Sequence, residues 1–142
     1  MEKRNVLFVM SSLRNGGAER SLVNLLQLLD YDRYNVDLLL FQNEGLFLKQ
    51  VPKAVNIISN CNKLYTLYDN NKAEALKHPY LSAIHMIGTF ISRKKTNSVA
   101  KSRQYRWEHF YKKIVPELTK EYDVAIAYMQ REQTYFLVDK VK

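Results

Sequence analysis

The stretch that decides the fold is residues 5–41, which read NVLFVMSSLRNGGAERSLVNLLQLLDYDRYNVDLLLF. It opens with an unbroken apolar run, Asn5 to Met10, which is typical of a strand buried on both faces of a parallel sheet. Ser11 to Gly17 is a turn that ends in two glycines. Leucines then recur at helical spacing from Ala18 to Leu29, and Val36 to Phe41 is a second apolar strand. The pattern predicts a strand–glycine turn–helix–strand unit.

Two more strands and a helix extend this unit along the chain. Val55 to Ser59 is a weaker third strand, and Asp123 to Met129 is a fourth apolar run. Glu132 to Val141 has the composition of a closing helix. We therefore expect an α/β fold, a Rossmann-like three-layer domain with a mostly parallel sheet of at least four strands, as one domain over residues 1–142.

The segment between the third and fourth strands predicts helices. An apolar patch begins just after Pro79, which suits the first turn of a helix. Apolar residues return at helical spacing over 104–121, where Pro116 predicts a kink or two short helices.

Composition excludes several classes of protein. The 142 residues are 46% hydrophobic, which is ordinary for a globular chain and excludes wholesale disorder. The single cysteine, Cys61, excludes a disulfide framework and favours a reducing compartment. No apolar stretch approaches the roughly 18 residues of a spanning helix. We expect a cytoplasmic protein, peripheral on the inner face of the plasma membrane.

The net charge of +8 is concentrated in one block. Residues 93–113 hold eight basic residues against one acid, Glu108, while the rest of the chain is almost neutral. Such a block predicts an anionic partner, namely a membrane face, a nucleic acid or a phosphorylated substrate, although a solvated helix face is the alternative. The residues expected to contact an anionic membrane surface are Arg93, Lys94, Lys95, Lys101, Arg103, Arg106, Trp107, Lys112 and Lys113.

Interleaved aromatic side chains favour the membrane among these partners. Nucleic acid would use the same residue types, but no recognisable nucleic-acid fold accompanies them, so it is not expected. The alternative for the aromatic residues is that Trp107 and Tyr111 belong to the core.

The pair Gly16-Gly17 lies between a buried strand and the start of a helix. Glycine suits that place if the turn needs a positive φ, or if a ligand must approach the backbone closely. The free N–H groups of the helix start would then favour a phosphate or carboxylate. A dinucleotide fingerprint lacks its third glycine here, and the lysine of a P-loop is missing. A purely structural turn is the alternative.

The residues around this turn resemble those of a known protein family. GGAER, from Gly16 to Arg20, between strand and amphipathic helix, is similar to the N-terminus of the retaining family 4 bacterial glycosyltransferases of the GT-B fold. The resemblance covers residues 5–41, and over 123–138 the run YDVAIAYM looks like the next core strand of that family. It implies two facing Rossmann-like domains, of which the N-terminal one mainly binds the acceptor.

The donor-binding domain of the family carries two glutamates spaced E-x7-E, and this chain has no such pair. The resemblance therefore implies an acceptor-side domain alone, which is expected to be inactive by itself because the donor-binding domain is absent. The parent reaction would transfer a sugar from a nucleotide-sugar to a cell-surface polysaccharide or lipid-linked acceptor, with retention and without a metal or other cofactor. The alternative is a non-catalytic Rossmann-like module that docks on an anionic membrane or nucleic acid.

The resemblance also assigns residues, although it leaves the catalytic ones unknown. Gly16 and Gly17 would approach the donor phosphates, and Glu19 and Arg20 would begin the helix beside the cleft. The acceptor side would be lined by Met129, Gln130 and Arg131.

Two other constellations have ordinary explanations. Asp30-Tyr31-Asp32 is a literal D-x-D, a pair that can hold Mg²⁺ or Mn²⁺, but its place after a helix favours a simple turn. The three histidines do not form a metal-binding spacing, so ordinary surface or core histidines are favoured. They are His78, His85 and His109.

Overall fold

The computed structural model describes residues 2–58, Leu67, 76–129 and 131–142. The chain forms two compact units. Residues 1–60 and 117–142 make up the sheet unit, and residues 61–116 make up the helical unit. The helical unit therefore interrupts the sheet unit between its third and fourth strands.

The sheet unit is built on four parallel strands. They are β1 (Arg4–Met10), β2 (Tyr34–Leu40), β3 (Asn56–Ile58) and β4 (Val124–Ala127). Their order across the sheet is β3-β2-β1-β4, and each neighbouring pair is parallel. The predicted parallel sheet of at least four strands is confirmed. The two apolar runs of the opening sequence become its two central strands, since both of their faces are buried.

Helices cover both faces of this sheet. Helix α1 (Gly17–Leu28) packs its buried stripe of Leu22, Val23 and Leu26 against one face. The strand residues of that core are Val6, Phe8, Met10, Val36, Leu38 and Leu40. Because side chains alternate along a strand, Phe41 belongs to the other face, where Phe136 of the final helix meets it edge-on at 5.9 Å between ring centroids. The result is a three-layer Rossmann-like arrangement.

One buried charge interrupts that second face. Asp37, in the middle of β2, is only 3% exposed. Its carboxylate accepts hydrogen bonds from Tyr122 Oη at 2.7 Å, Lys120 Nζ at 2.9 Å and Asn56 Nδ2 at 3.1 Å. Burial alone would raise the pKa of Asp37, but these donors outweigh it and hold that pKa below its usual value. Burial, helped by the Asp37 charge, raises the pKa of Tyr122.

The helical unit contains a pair of packed helices. Helix α2 (Pro79–Lys95) begins at the proline, as the sequence predicts, and helix α3 (Val99–Arg106) follows after a short loop. Ser98 caps α3, since its hydroxyl accepts a hydrogen bond from the Lys101 amide at 3.3 Å. A π-helical turn, Trp107–Tyr111, continues α3. The final helix of the chain, α4 (Glu132–Lys140), belongs to the sheet unit.

Small residues let α2 and α3 approach each other. The hydroxyl of Ser102 donates to that of Ser92 at 2.8 Å, and both residues are buried. A Cβ on Gly88 would come within 3.3 Å of the Phe110 ring, so this glycine gives the ring room. His85 Nδ1 lies 3.2 Å from the Tyr111 hydroxyl. Burial lowers the pKa of His85, the Leu67 carbonyl opposes this change, and the Arg106 charge adds to it.

The prediction for Pro116 is wrong. The helical spacing over 104–121 suggests a kink at this proline, yet the π-helical turn ends at Tyr111 and Pro116 lies in irregular chain beyond it. Proline has no N–H to continue a helix, so the helical pattern ends before it rather than bending around it.

Two sequence predictions fall partly or wholly outside the described residues. The third strand is confirmed over Asn56–Ile58, but Ser59 is not described, and neither is Cys61. Within the described residues, we find no helix that has both the length and the hydropathy to cross a membrane.

Candidate functional site

The carboxyl edge of β1 and β4 is the candidate ligand-binding site. From β1 the chain proceeds to β2 on one side, whereas β4 adds on the other side. In open α/β sheets, ligands bind in the crevice that such a change of direction leaves outside the carboxyl ends of the strands. Two groups of residues flank this crevice here, namely Ser11–Gly16 after β1 and Tyr128, Met129 and Arg131 after β4.

The glycine pair starts helix α1 without any unusual backbone conformation. Gly16 is the residue before the helix, with φ of −91°, and Gly17 is the first helical residue. Neither has a positive φ, so that part of the prediction is wrong. The first helical bond runs from Arg20 N to Gly16 O at 3.1 Å. The amides of Gly17, Ala18 and Glu19 therefore lie outside the helical ladder, as at every helix start.

The two glycines differ in the space around them. A Cβ on Gly17 would meet nothing within 4 Å, so the backbone there is open to an approaching ligand. A Cβ on Gly16 would overlap the carboxylate of Glu19. That carboxylate lies at the positive end of the helix dipole, where a bound anion would also be favoured. A phosphate at this edge would have to move the Glu19 side chain or approach beside it at Gly17.

A second loop braces the glycine turn from the β2 side. The Leu13 amide donates to Glu44 O at 3.0 Å, and the Phe47 amide donates to Leu13 O at 3.1 Å. Arg14 and Glu44 add an exposed ion pair, with Nη2 and Oε1 2.6 Å apart. Gly45 makes this approach possible, since its φ is +133° and any Cβ would overlap the Leu13 carbonyl. Gly45 is not among the site residues predicted from the sequence, although the Asn-Glu-Gly turn after β2 is the signal that could have indicated it.

Side-chain hydrogen bonds join the β4 segment to α1, and α4 to the glycine turn. Tyr128 Oη lies 2.8 Å from the Ser21 hydroxyl of α1. Gln133, in the first turn of α4, donates from Nε2 to the Ser11 hydroxyl at 2.6 Å. Gln133 is 1% exposed, and within the described part of the chain its Oε1 has no hydrogen-bond partner. A buried amide at this crevice is therefore half satisfied, and sequence patterns give no sign of it.

The predicted site residues take different places around this edge. Glu19 is half-buried and Arg20 exposed, both in the first turn of α1. Met129 is half-buried and packs against the core beneath α1. Arg131 is exposed and precedes the first residue of α4. Gln130 lies outside the described residues.

The basic block lies in the helical unit, and one of its members is misassigned. Trp107 is 1% exposed, so its prediction as a membrane contact is wrong. Its indole is packed in the interior, as is Tyr111, which is the alternative that the sequence left open. Arg103 and Arg106 are half-buried. The exposed basic residues of the block are Arg93, Lys94, Lys95, Lys101, Lys112 and Lys113.

The D-x-D segment is a turn, as the sequence predicts. Asp30 Oδ1 accepts a hydrogen bond from the Asp32 amide at 3.0 Å, and the carbonyl of Asp30 accepts from the Arg33 amide at 3.1 Å. Over the residues described here, no cluster of three His, Cys, Asp or Glu side chains is arranged to hold a metal ion.

Comparison of the chain with models of known protein families, with curated proteins and with solved structures gave no match.

Proposed function

We propose that this chain is the acceptor-side domain of a GT-B glycosyltransferase. It would work with a donor-binding domain to transfer a sugar from a nucleotide-sugar to a cell-surface polysaccharide or lipid-linked acceptor. The proposal begins from the resemblance of residues 5–41 to the retaining family 4 enzymes. The Rossmann-like fold with strand order β3-β2-β1-β4 is compatible with that resemblance.

One observation supports a particular position for an anion in this proposal. The open backbone at Gly17 lies at the N-terminus of α1, at the carboxyl edge of β1, next to the edge of β4. Three amides outside the helical ladder and the helix dipole favour an anion there. In a transferase, the anion with this position would be the departing nucleotide diphosphate, whose charge grows as the sugar bond breaks.

The residues beside this place suit an acceptor. Arg131 is exposed at the end of the β4 segment, and Arg20 is exposed one turn into α1. Both cations would attract a phosphorylated or diphosphate-linked acceptor. The unpartnered Oε1 of the buried Gln133 offers a hydrogen-bond acceptor for a sugar hydroxyl that reached it.

A phosphate-binding titration tests the proposed edge. The probes are glucose 1-phosphate, inorganic phosphate and glucose, followed by ¹⁵N NMR on the chain. We expect the two phosphates to shift the amides of Gly17, Ala18 and Arg131 with dissociation constants on the order of 1 mM. Glucose alone should shift the Arg131 side of the edge more weakly, because it brings no charge.

Variants of the same turn provide the controls. Gly17→Val should abolish the phosphate shifts while the circular dichroism spectrum stays unchanged, since its side chain enters open space. Glu19→Gln should tighten phosphate binding by about three- to fivefold, because a competing negative charge is removed from the helix N-terminus. Phosphate binding that survives Gly17→Val, or shifts confined to other parts of the chain, would show that this edge is not the site.

A further inference from the structure

Helix α2 exposes four of its large apolar side chains. Tyr80 is 71% exposed, Met86 71%, Ile87 54% and Phe90 62%. The buried side of the same helix is formed by Leu81, Gly88 and Ser92, of which two are small or polar. An ordinary surface helix turns its apolar stripe toward the core, so this group of exposed apolar side chains is unusual.

The exposed residues form one stripe rather than scattered contacts. Tyr80, Ile87 and Phe90 are separated by seven and three positions, and Lys94 follows four positions later. At 3.6 residues per turn, these spacings place all four side chains on one face of the helix. At about 1.5 Å per residue, the aromatic ends of the stripe lie roughly 15 Å apart along the axis.

Positive charge is continuous with this stripe. Helix α2 ends in Arg93, Lys94 and Lys95, all of them exposed. The ammonium group of Lys94 lies 4.5 Å from the centroid of the Phe90 ring, so charge and apolar surface meet directly. From Leu76 to Trp107 the sequence contains seven Lys or Arg residues and no Asp or Glu. Nothing along this segment would repel an anionic surface.

We propose that the α2 stripe, defined by Tyr80, Ile87 and Phe90 and flanked by Met86, docks the chain on an anionic lipid surface. The apolar side chains would enter the boundary between headgroups and acyl chains, and Arg93, Lys94 and Lys95 would contact the headgroups. A helix lying in the interface with one apolar and one basic region has this chemistry. The inference concerns the helical unit and does not depend on the proposed transferase activity.

A lipid surface fits this stripe better than a nucleic acid does. Nucleic acids would reward the lysines and arginines and could stack on Tyr80 or Phe90, but Met86 and Ile87 have no stacking surface or hydrogen-bonding group to offer. Lipid rewards all four side chains. The membrane contact proposed here therefore retains exposed lysines and arginines of the basic block. Its apolar part consists of the exposed residues of α2 instead of the buried Trp107.

Vesicle co-sedimentation tests the proposal. The chain is incubated with phosphatidylcholine vesicles, with or without about a third of phosphatidylglycerol, at salt concentrations from roughly 0.1 to 0.5 M. We expect binding to the anionic vesicles that weakens with salt. Equal binding to both kinds of vesicle, or binding to neither, would overturn the proposal.

Matched variants separate the stripe from general stickiness. The double variant Ile87→Ser/Phe90→Ser should weaken vesicle binding at least about tenfold, because two inserted side chains are lost. Leu28→Ser removes a leucine of α1, in the sheet unit, that is 85% exposed, and should leave binding unchanged. Lys94→Glu/Lys95→Glu should abolish the preference for anionic lipid, whereas Lys53→Glu, at an exposed position of the sheet unit, should reduce binding only slightly.

Fluorescence gives a direct reading of insertion. Phe90→Trp should shift its emission to shorter wavelength when anionic vesicles are added, while Leu28→Trp should not. The buried Trp107 serves as an internal reference, since its environment should not change. If Phe90→Trp shows no shift, or if ultracentrifugation shows a wild-type dimer that Ile87→Ser/Phe90→Ser dissociates, the stripe is not a lipid-docking surface. Binding to duplex DNA in place of vesicles would also overturn the proposal.

Discussion

The glycines at the carboxyl edge of the sheet have different structural roles, although in the sequence each of them looks like an ordinary turn residue. Gly17 faces open space, whereas Gly45 lies against the Leu13 carbonyl with φ of +133°. The first is free to contact a ligand. The second holds the β2 loop on the glycine turn, and so positions the candidate site from outside it.

Replacing Gly45 should therefore cost stability. In Gly45→Ala, the new methyl group overlaps the Leu13 backbone, and the positive φ adds strain of about 1–3 kcal/mol. Urea denaturation monitored by circular dichroism should show a free energy of unfolding lower by at least that amount. Gly17→Ala is the matched control, because it places the same methyl group in open space at a helical position. If the two variants are equally stable, the bracing role of Gly45 is wrong.

The carboxylate of Asp37 should make stability depend on pH. Its pKa in the folded chain is held below the usual value of about 3.9 for an unfolded aspartate. The unfolded state therefore binds the proton more readily. The stabilising contribution is complete above the unfolded pKa and is lost as pH falls through the folded pKa.

Denaturation between about pH 7 and pH 3 checks this dependence. Wild type should lose more stability on acidification than Asp37→Asn does, since the variant has no carboxylate to protonate. Tyr122→Phe, which removes the shortest hydrogen bond to Asp37, should lower the free energy of unfolding by about 1.5–3 kcal/mol near neutral pH. Identical acid profiles for wild type and Asp37→Asn would show that this buried carboxylate does not control acid stability.

Among the helices and strands, the sequence predicts those whose hydrophobic pattern lies within a few neighbouring residues. The strands β1, β2 and β4 appear as apolar runs and α1 as a leucine periodicity, because burial on two faces or on one stripe is written in neighbouring residues. The cluster at Asp37 is not local, since Lys120 and Tyr122 lie more than eighty positions away. Gln133 meets Ser11 across an even larger separation, 122 positions. Only the fold brings such residues together.

Trp107 shows a different limit of sequence reasoning. An aromatic residue among lysines and arginines suits both a membrane interface and a core, because both reward the same indole. Whether the indole is buried depends on which side of the helix packs against the rest of its unit. Here the π-helical turn after α3 places Trp107 in the interior. In α2 the small residues Gly88 and Ser92 face α3 and the π-helical turn, while four of its large apolar side chains are exposed.

The interior position of Trp107 predicts its spectroscopic behaviour. It is the single tryptophan of the chain, so its emission needs no deconvolution. Acrylamide should quench it poorly in the folded chain and readily in urea. Trp107→Ala should destabilise the fold by about 3–5 kcal/mol, as loss of a large core side chain does. Ready quenching in the native chain would contradict the burial.

For the whole molecule, the division into two units separates the two proposed binding sites, which can be tested apart. The candidate anion edge belongs to the sheet unit, and the α2 stripe belongs to the helical unit, which is inserted between β3 and β4. Variants in one unit should therefore leave the binding measured for the other unchanged, because they share no residues. The proposed acceptor-side assignment also implies that another domain binds the base and ribose of the donor.

Calorimetric titration of the chain with UDP, GDP and their sugar conjugates tests that central claim most directly. Only the amides around Gly17 and a few cationic side chains would contact the donor, so little offsets the entropy lost on association. We predict dissociation constants of about 1 mM or weaker, near −4 kcal/mol. A dissociation constant of about 1 μM, near −8 kcal/mol, would mean that this chain holds a nucleotide by itself, and it would contradict the acceptor-side assignment.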